Sequence, residues 1–183
     1  QKIIDDYLPA VARCGFKRLL IHETWEHGGC SPSDLAINSK FGGEAALKRL
    51  CAAAREKGIE VVAWYGPGHL WAKSPIFEKR PKFLLKGRGD KPPTNYCWPS
   101  ITGVDLTGPW FDYAIGKLKG IRERTGLAGF WLDSYTNFTH GVKCATRQLE
   151  VEQAGALIRF HAAIQQLGYI TYTEASSDFG TKS

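Results

Sequence analysis

The chain has 183 residues and a formal net charge of +6, from 24 Lys and Arg against 18 Asp and Glu. With 43% hydrophobic and 23% charged residues its composition is that of one globular domain, which excludes a disordered tail, a collagen-like fibre and a low-complexity linker. No apolar run approaches the ~18 residues of a membrane helix, and the basic residues spread along the chain, so neither a membrane span nor a nucleic-acid-binding face is predicted.

In chain order, Ile3, Ile4, Tyr7, Leu8, Val11 and Cys14 recur at three- and four-residue steps, which predicts a helix with one buried stripe, stopped by Gly15. The apolar run from Phe16 to Glu23 reads as a buried strand. A Gly-rich polar loop from His27 to Gly43 follows. Ala46, Leu47, Leu50, Cys51 and Ala54 mark a second helix ended by Gly58, and Ile59 to Tyr65 the second strand. A long loop from Gly66 to about Pro109 exceeds the ~4–6 residues of an ordinary connector, and loops of that length tend to be functional. Its densest basic patch, Lys79, Arg80, Lys82, Lys86, Arg88 and Lys91, lies among prolines and glycines and reads as a solvated loop. Phe111 to Ile121 give a third helix, closed by Gly126, and Leu127 to Asp133 a third strand. Leu149 to Leu167 form a fourth helix, closed by Gly168, and Tyr169 to Glu174 a fourth strand.

Alternating helices and continuous apolar strands predict a parallel sheet with right-handed crossovers. No phosphate-binding glycine fingerprint follows a strand: Gly66-Pro67-Gly68 lacks its third glycine. Polar and aromatic residues end the strands instead, in His22-Glu23-Thr24-Trp25, Trp64-Tyr65-Gly66-Pro67, Trp131-Leu132-Asp133-Ser134 and Thr173-Glu174-Ala175-Ser176. Functional groups at the carboxyl ends of successive strands are how (β/α)8 barrel enzymes are built. The expected fold is therefore α/β, a partial (β/α)8 TIM barrel of about four βα units, strands two to five. A whole barrel takes ~250 residues. With no Met anywhere, residues 1–183 are expected to be one partial catalytic domain cut from a longer chain, whose remainder completes the barrel.

Asp133 is the sharpest single residue, because a carboxylate at an apolar strand end needs partners or work to do. The structural alternative is a cap or a salt-bridged strand end. Glu23 and Glu174 are further strand-end carboxylates, with Asp178 four residues beyond the latter. Paired carboxylates a few ångströms apart cleave glycosidic bonds. Trp25, Trp64 and Trp71 stand at or just after strand ends, where indole rings suit the apolar faces of sugars, unless they are barrel-top packing. His22 and His27 are five apart, which fails the zincin spacing. The five cysteines, Cys14, Cys30, Cys51, Cys97 and Cys144, include no Cys-x-x-Cys pair, so a reduced, cytoplasmic compartment is favoured over a disulfide framework or a zinc site. Asn137-Phe138-Thr139 is a glycosylation sequon that would set a glycan over the mouth, and is read as unused.

Taken in order, these motifs resemble the retaining α-glycosidases of the α-galactosidase clan, notably glycoside hydrolase family 36. The strand ending in Trp25, the glycine–strand–Trp–x–x–Pro run from Gly58 to Pro67, Ser74 to Leu85, Val104-Asp105-Leu106-Thr107, Trp131-Leu132-Asp133 and Glu174-Ala175-Ser176-Ser177 follow that family's sequence of elements. Trp131 stands where the family has Lys, and a Trp-x-Asp strand is similar to family 31 α-glucosidases. The resemblance implies hydrolysis of α-glycosidic bonds by double displacement, with Asp133 as nucleophile. Glu23, Trp25, Trp64, Glu174 and Asp178 are then substrate-binding, and the general acid lies on a strand beyond Ser183. It implies a carbohydrate substrate, no cofactor and no metal. A metal-dependent hydrolase using His22, Glu23, His27 and Asp133, or a non-catalytic carbohydrate-binding barrel, are the alternatives.

Overall fold

The computed structural model describes residues 1–27, 29, 32–87, 100–133 and 144–173, the side chain of Arg147 excepted. Four parallel strands, β1 (Arg18–Ile21), β2 (Glu60–Tyr65), β5 (Gly129–Leu132) and β6 (Ile170–Thr173), pair in the order β1-β2-β5-β6. Sequence neighbours are thus sheet neighbours, with no reversal of the kind that marks a doubly wound sheet. The register aligns Ile21 with Ala63, Ala63 with Phe130 and Phe130 with Thr171, and one residue on, Trp64 with Trp131 and Trp131 with Tyr172.

Because side chains alternate across a strand, this register sorts the sheet into two faces. Val61, Ala63, Tyr65, Phe130 and Leu132 join one hydrophobic core. It is filled from the helices: α2 (Gly43–Glu56) by Leu47, Leu50, Cys51 and Ala54, α4 (Trp110–Thr125) by Trp110, Ala114, Leu118 and Ile121, and α5 (Arg147–Gln166) by Ala156, Leu157, Phe160 and Ile164. α2 packs on α4 and α4 on α5. The alternate positions make the other face, with Arg18 paired to Glu60 at 3.0 Å and set over the Tyr172 ring at 5.4 Å. Trp131 on that face is 40% exposed. Trp131 has a strand neighbour on each side, Trp64 and Tyr172.

The four strands appear where the apolar runs predict them, trimmed at their ends. β1 is the most trimmed, and Phe16 stays exposed. The first helix differs more. It opens with a π turn over Ile3–Tyr7 before α1 (Leu8–Arg13), and of the expected stripe only Leu8 is fully buried. Ile3, Tyr7 and Cys14 are exposed. The long connector has structure of its own: an antiparallel hairpin of β3 (His69–Trp71) and β4 (Ile101–Gly103), and a short helix α3 (Ile76–Lys79). Gln153 of α5, fully buried, ties this connector down: it donates to the Asp105 carboxylate at 2.6 Å and accepts the Leu106 N–H at 2.9 Å.

Candidate active site

The carboxyl ends of β1, β2 and β5 bring His22, Trp64 and Asp133 to one rim. β2 and β5 are locked there by the Asp133 N–H, which donates to the Tyr65 carbonyl at 2.9 Å. Asp133 is partly exposed, and two residues beyond Trp131 it continues the row on the open face. The His22 ring lies against Trp64 at 4.5 Å between centroids, tilted by 50°. A Cβ on Gly29 would meet the Trp64 ring at 3.9 Å, so the β1–α2 loop passes across the indole.

Trp25 is a correction. Expected at the sugar subsite, it is fully buried, packed between Tyr65 and Phe130 at 5.6 and 6.2 Å, and its indole N–H donates to the Trp64 carbonyl at 2.6 Å. It has no surface to offer a ligand. It anchors instead the strand that presents Trp64. Glu23 is exposed and lines a groove of about 320 Å³ between the N-terminal π turn and α2, with His22, Ile21, Asn38, Leu47 and Leu50. Glu174 and Asp178, with the sequon at Asn137, Cys30 and Cys97, lie outside the described residues.

His69, which sequence reasoning passed over, starts the connector hairpin directly after the Gly66–Gly68 turn. It is 1% exposed, and its N–H donates to the Gly66 carbonyl at 3.2 Å, one residue from the carbonyl that anchors Asp133. Burial pulls its imidazole down to about 4, and the charge of nearby Asp133 opposes that. The only signal for it was its place after a strand-ending glycine turn. Hydrogen bonds from Ser39 hold the Glu26 carboxyl below its usual value, which fixes the base of the β1–α2 loop.

The two histidines of the metal alternative stand against different tryptophans. The His22 ring packs on Trp64 and the His27 ring on Trp71. Among the described residues no three His, Cys, Asp or Glu side chains come together as a metal site. Among the described cysteines Cys14, Cys51 and Cys144 are free thiols, and burial pushes Cys51 and Cys144 up to about 11.

The sequence matches no protein-family model and no curated protein. Solved structures do match. The chain is similar to the family 36 α-galactosidase AgaA of Geobacillus stearothermophilus, at 15% identity and TM-score 0.73, over 94% of this chain and 25% of that one. It is similar to the α-N-acetylgalactosaminidase NagBb of Bifidobacterium bifidum at 19% identity and TM-score 0.75, over 97% and 30%. A third likeness, at 17% identity and TM-score 0.72, is the maltogenic α-amylase AmyB of Thermotoga neapolitana, over 99% and 42%. The fold is therefore a partial TIM barrel of the kind these glycoside hydrolases carry. The chain spans a quarter to two-fifths of the length of these structures. They support a family 36-like fold; the family 31 features find no support.

Proposed function

We propose that the chain is the part of a retaining α-glycoside hydrolase, α-galactosidase-like, that carries strands two to five of the barrel and the nucleophile. One observation carries this reading: Asp133 ends β5 on the open face, in one row with Trp131 and next to the strand that presents Trp64, in a sheet shaped like glycoside hydrolase barrels. The Asp133 carboxylate attacks the anomeric carbon. A C–O bond forms to the enzyme as the glycosidic C–O bond breaks, and the departing oxygen takes a proton from a second carboxyl group. Water then attacks the glycosyl–enzyme, with that group as base. Trp64 packs against the apolar face of the sugar, and Glu174, Asp178 and Glu23 bind hydroxyls. The acid lies on a strand contributed by the remainder of the parent chain. This chain's own residues supply all the groups named for attack and binding, so the reading needs no cofactor.

The test uses the full-length protein containing these residues. An activated fluoro-α-galactoside or fluoro-α-glucoside should label Asp133 covalently, read by peptide mass spectrometry. Asp133→Asn should abolish hydrolysis of aryl α-glycosides while leaving the circular dichroism spectrum unchanged. Retained turnover in that folded variant would falsify the assignment. Saccharide binding without any label or turnover would instead favour the non-catalytic barrel.

A further inference from the structure

Beneath Asp133 the open face of the sheet is ordered in rows, because paired strands set the side chains of one face level with one another. The lowest row holds the Arg18–Glu60 ion pair at 3.0 Å. Above it the register aligns Leu20, Val62, Gly129 and Ile170, none of which has a polar side-chain atom. The next row is made of rings. Trp64 pairs with Trp131 and Trp131 with Tyr172, and the His22 ring joins from the β1 side, 4.5 Å from Trp64. Asp133 then stands two residues after Trp131, on the same strand end and the same face. The Arg18 guanidinium of β1 reaches the Tyr172 ring of β6, on the opposite border of the sheet, at 5.4 Å, so the rows bend into a trough.

The level of Trp131 is therefore the floor under a sugar attacked by Asp133. Two residues of strand rise by about 6–7 Å, comparable to the length of one pyranose ring with its substituents. The leaving group must depart toward the mouth, so the ring atoms farthest from the anomeric carbon, C4 and C5, enter deepest. The C4 hydroxyl is common to hexoses and pentoses. The C5 substituent varies: a hydroxymethyl, a methyl or a hydrogen. A hydroxymethyl oxygen pressed onto an indole face gives up water without a matching partner, and the aliphatic row beneath offers no side-chain donor or acceptor. A methyl group or a bare C5 gains there by burial. Resting on the glycosidase reading above, we propose that Trp131 sets the specificity of the site, forming with Trp64 an apolar floor that selects α-glycosides whose sugar has no hydroxyl on its C5 substituent. The substrate class is then a deoxyhexose with a C5 methyl group, or a pentopyranose.

The experiment compares two matched pairs of nitrophenyl glycosides on the full-length protein. One pair is the α-D-galactoside and the α-D-fucoside, its counterpart with a C5 methyl group. The other is the α-D-glucoside and the α-D-xyloside, which has only hydrogen at C5. kcat/KM is read for each. In the pair whose ring configuration is accepted, the member without the hydroxyl should be favoured by about ten- to a hundredfold, the range over which an apolar pocket rejects an added hydroxyl. Trp131→Gln gives the floor a hydrogen-bonding amide and should bring that ratio close to one; Trp131→His replaces it if the amide variant does not fold. Trp131→Phe keeps the floor apolar and should keep the ratio. A merely structural role would lower kcat/KM for both members alike and leave the ratio unchanged in the polar variant, which overturns the inference. A native enzyme that favours the hydroxymethyl member, or neither, overturns it too and leaves the glycosidase reading standing. Turnover of none of the four overturns the glycosidase reading along with it.

Discussion

Trp25 and Trp64 are joined by one hydrogen bond and serve opposite purposes. The Trp25 indole fills the core between Tyr65 and Phe130 and grips the Trp64 carbonyl; Trp64 turns its ring to the open face. Trp25→Phe keeps most of the packing and leaves that carbonyl without its donor, so we expect a loss of about 1–3 kcal/mol. Trp64→Phe, on a half-open surface, should cost stability much less. Urea denaturation of the two variants checks the ranking, and equal midpoints would overturn it. His69 gives a pH dependence. Its folded-state value of about 4 lies below the ordinary 6.5, so between these values the unfolded chain binds more protons. Stability then falls as the pH drops from about 6.5 to 4, by roughly 3 kcal/mol, and the penalty is complete below 4. Chemical denaturation across that range should show a flattened slope in His69→Gln; an unaltered slope would remove His69 as the cause. None of this distinction between the two tryptophans was legible in the sequence. Both are Trp at a strand end, and only the twist and register of the folded sheet decide which face each takes.

Among the elements, the four sheet strands were legible because parallel strands packed under helices read as near-continuous apolar runs. The hairpin of β3 and β4 was not. Three residues per strand are too few to show alternation, and the pairing partner lies about thirty positions downstream across a Pro- and Gly-rich run. The opening helix misled for a different reason. Its periodicity is genuine, yet Ile3 and Tyr7 stay exposed. Two glycines separate sheet from helix in a single comparison. At Gly129 in β5 a Cβ would stand 2.0 Å from the Ile170 carbonyl oxygen, so Gly129→Ala must push β6 away from β5. We expect a loss of about 3 kcal/mol or more. Gly116, inside α4, has open space within 4 Å of where a methyl group would stand, and Gly116→Ala should gain about 0.5–1 kcal/mol. Thermal melts of both variants test the pair, and a stable Gly129→Ala protein would show that β5 and β6 are not paired in this register.

At the scale of the whole molecule, the uncovered apolar residues are not scattered. Ile3, Tyr7, Phe16 and Phe41 flank the β1 side of the sheet, Val151 and Ile158 lie on α5 beside β6, and Trp131 stands on the open face. Those are the two lateral borders and the inner wall of an arc of four strands, the surfaces that further strands and helices cover in a closed barrel. Retention chemistry makes the same demand from another direction. On the proposed reading it needs a second carboxyl about 5–5.5 Å from Asp133. We therefore expect residues 1–183 expressed alone to bind a hydrophobic dye strongly and to show no turnover of aryl α-glycosides, while the full-length protein shows weak dye binding and turnover. The role of Glu174 is decided within the full-length protein by leaving groups. If it binds substrate hydroxyls, Glu174→Gln slows substrates with good and poor leaving groups by similar factors. A loss confined to poor leaving groups, which depend on protonation, would make Glu174 the general acid and place both carboxyls of the reaction inside this arc.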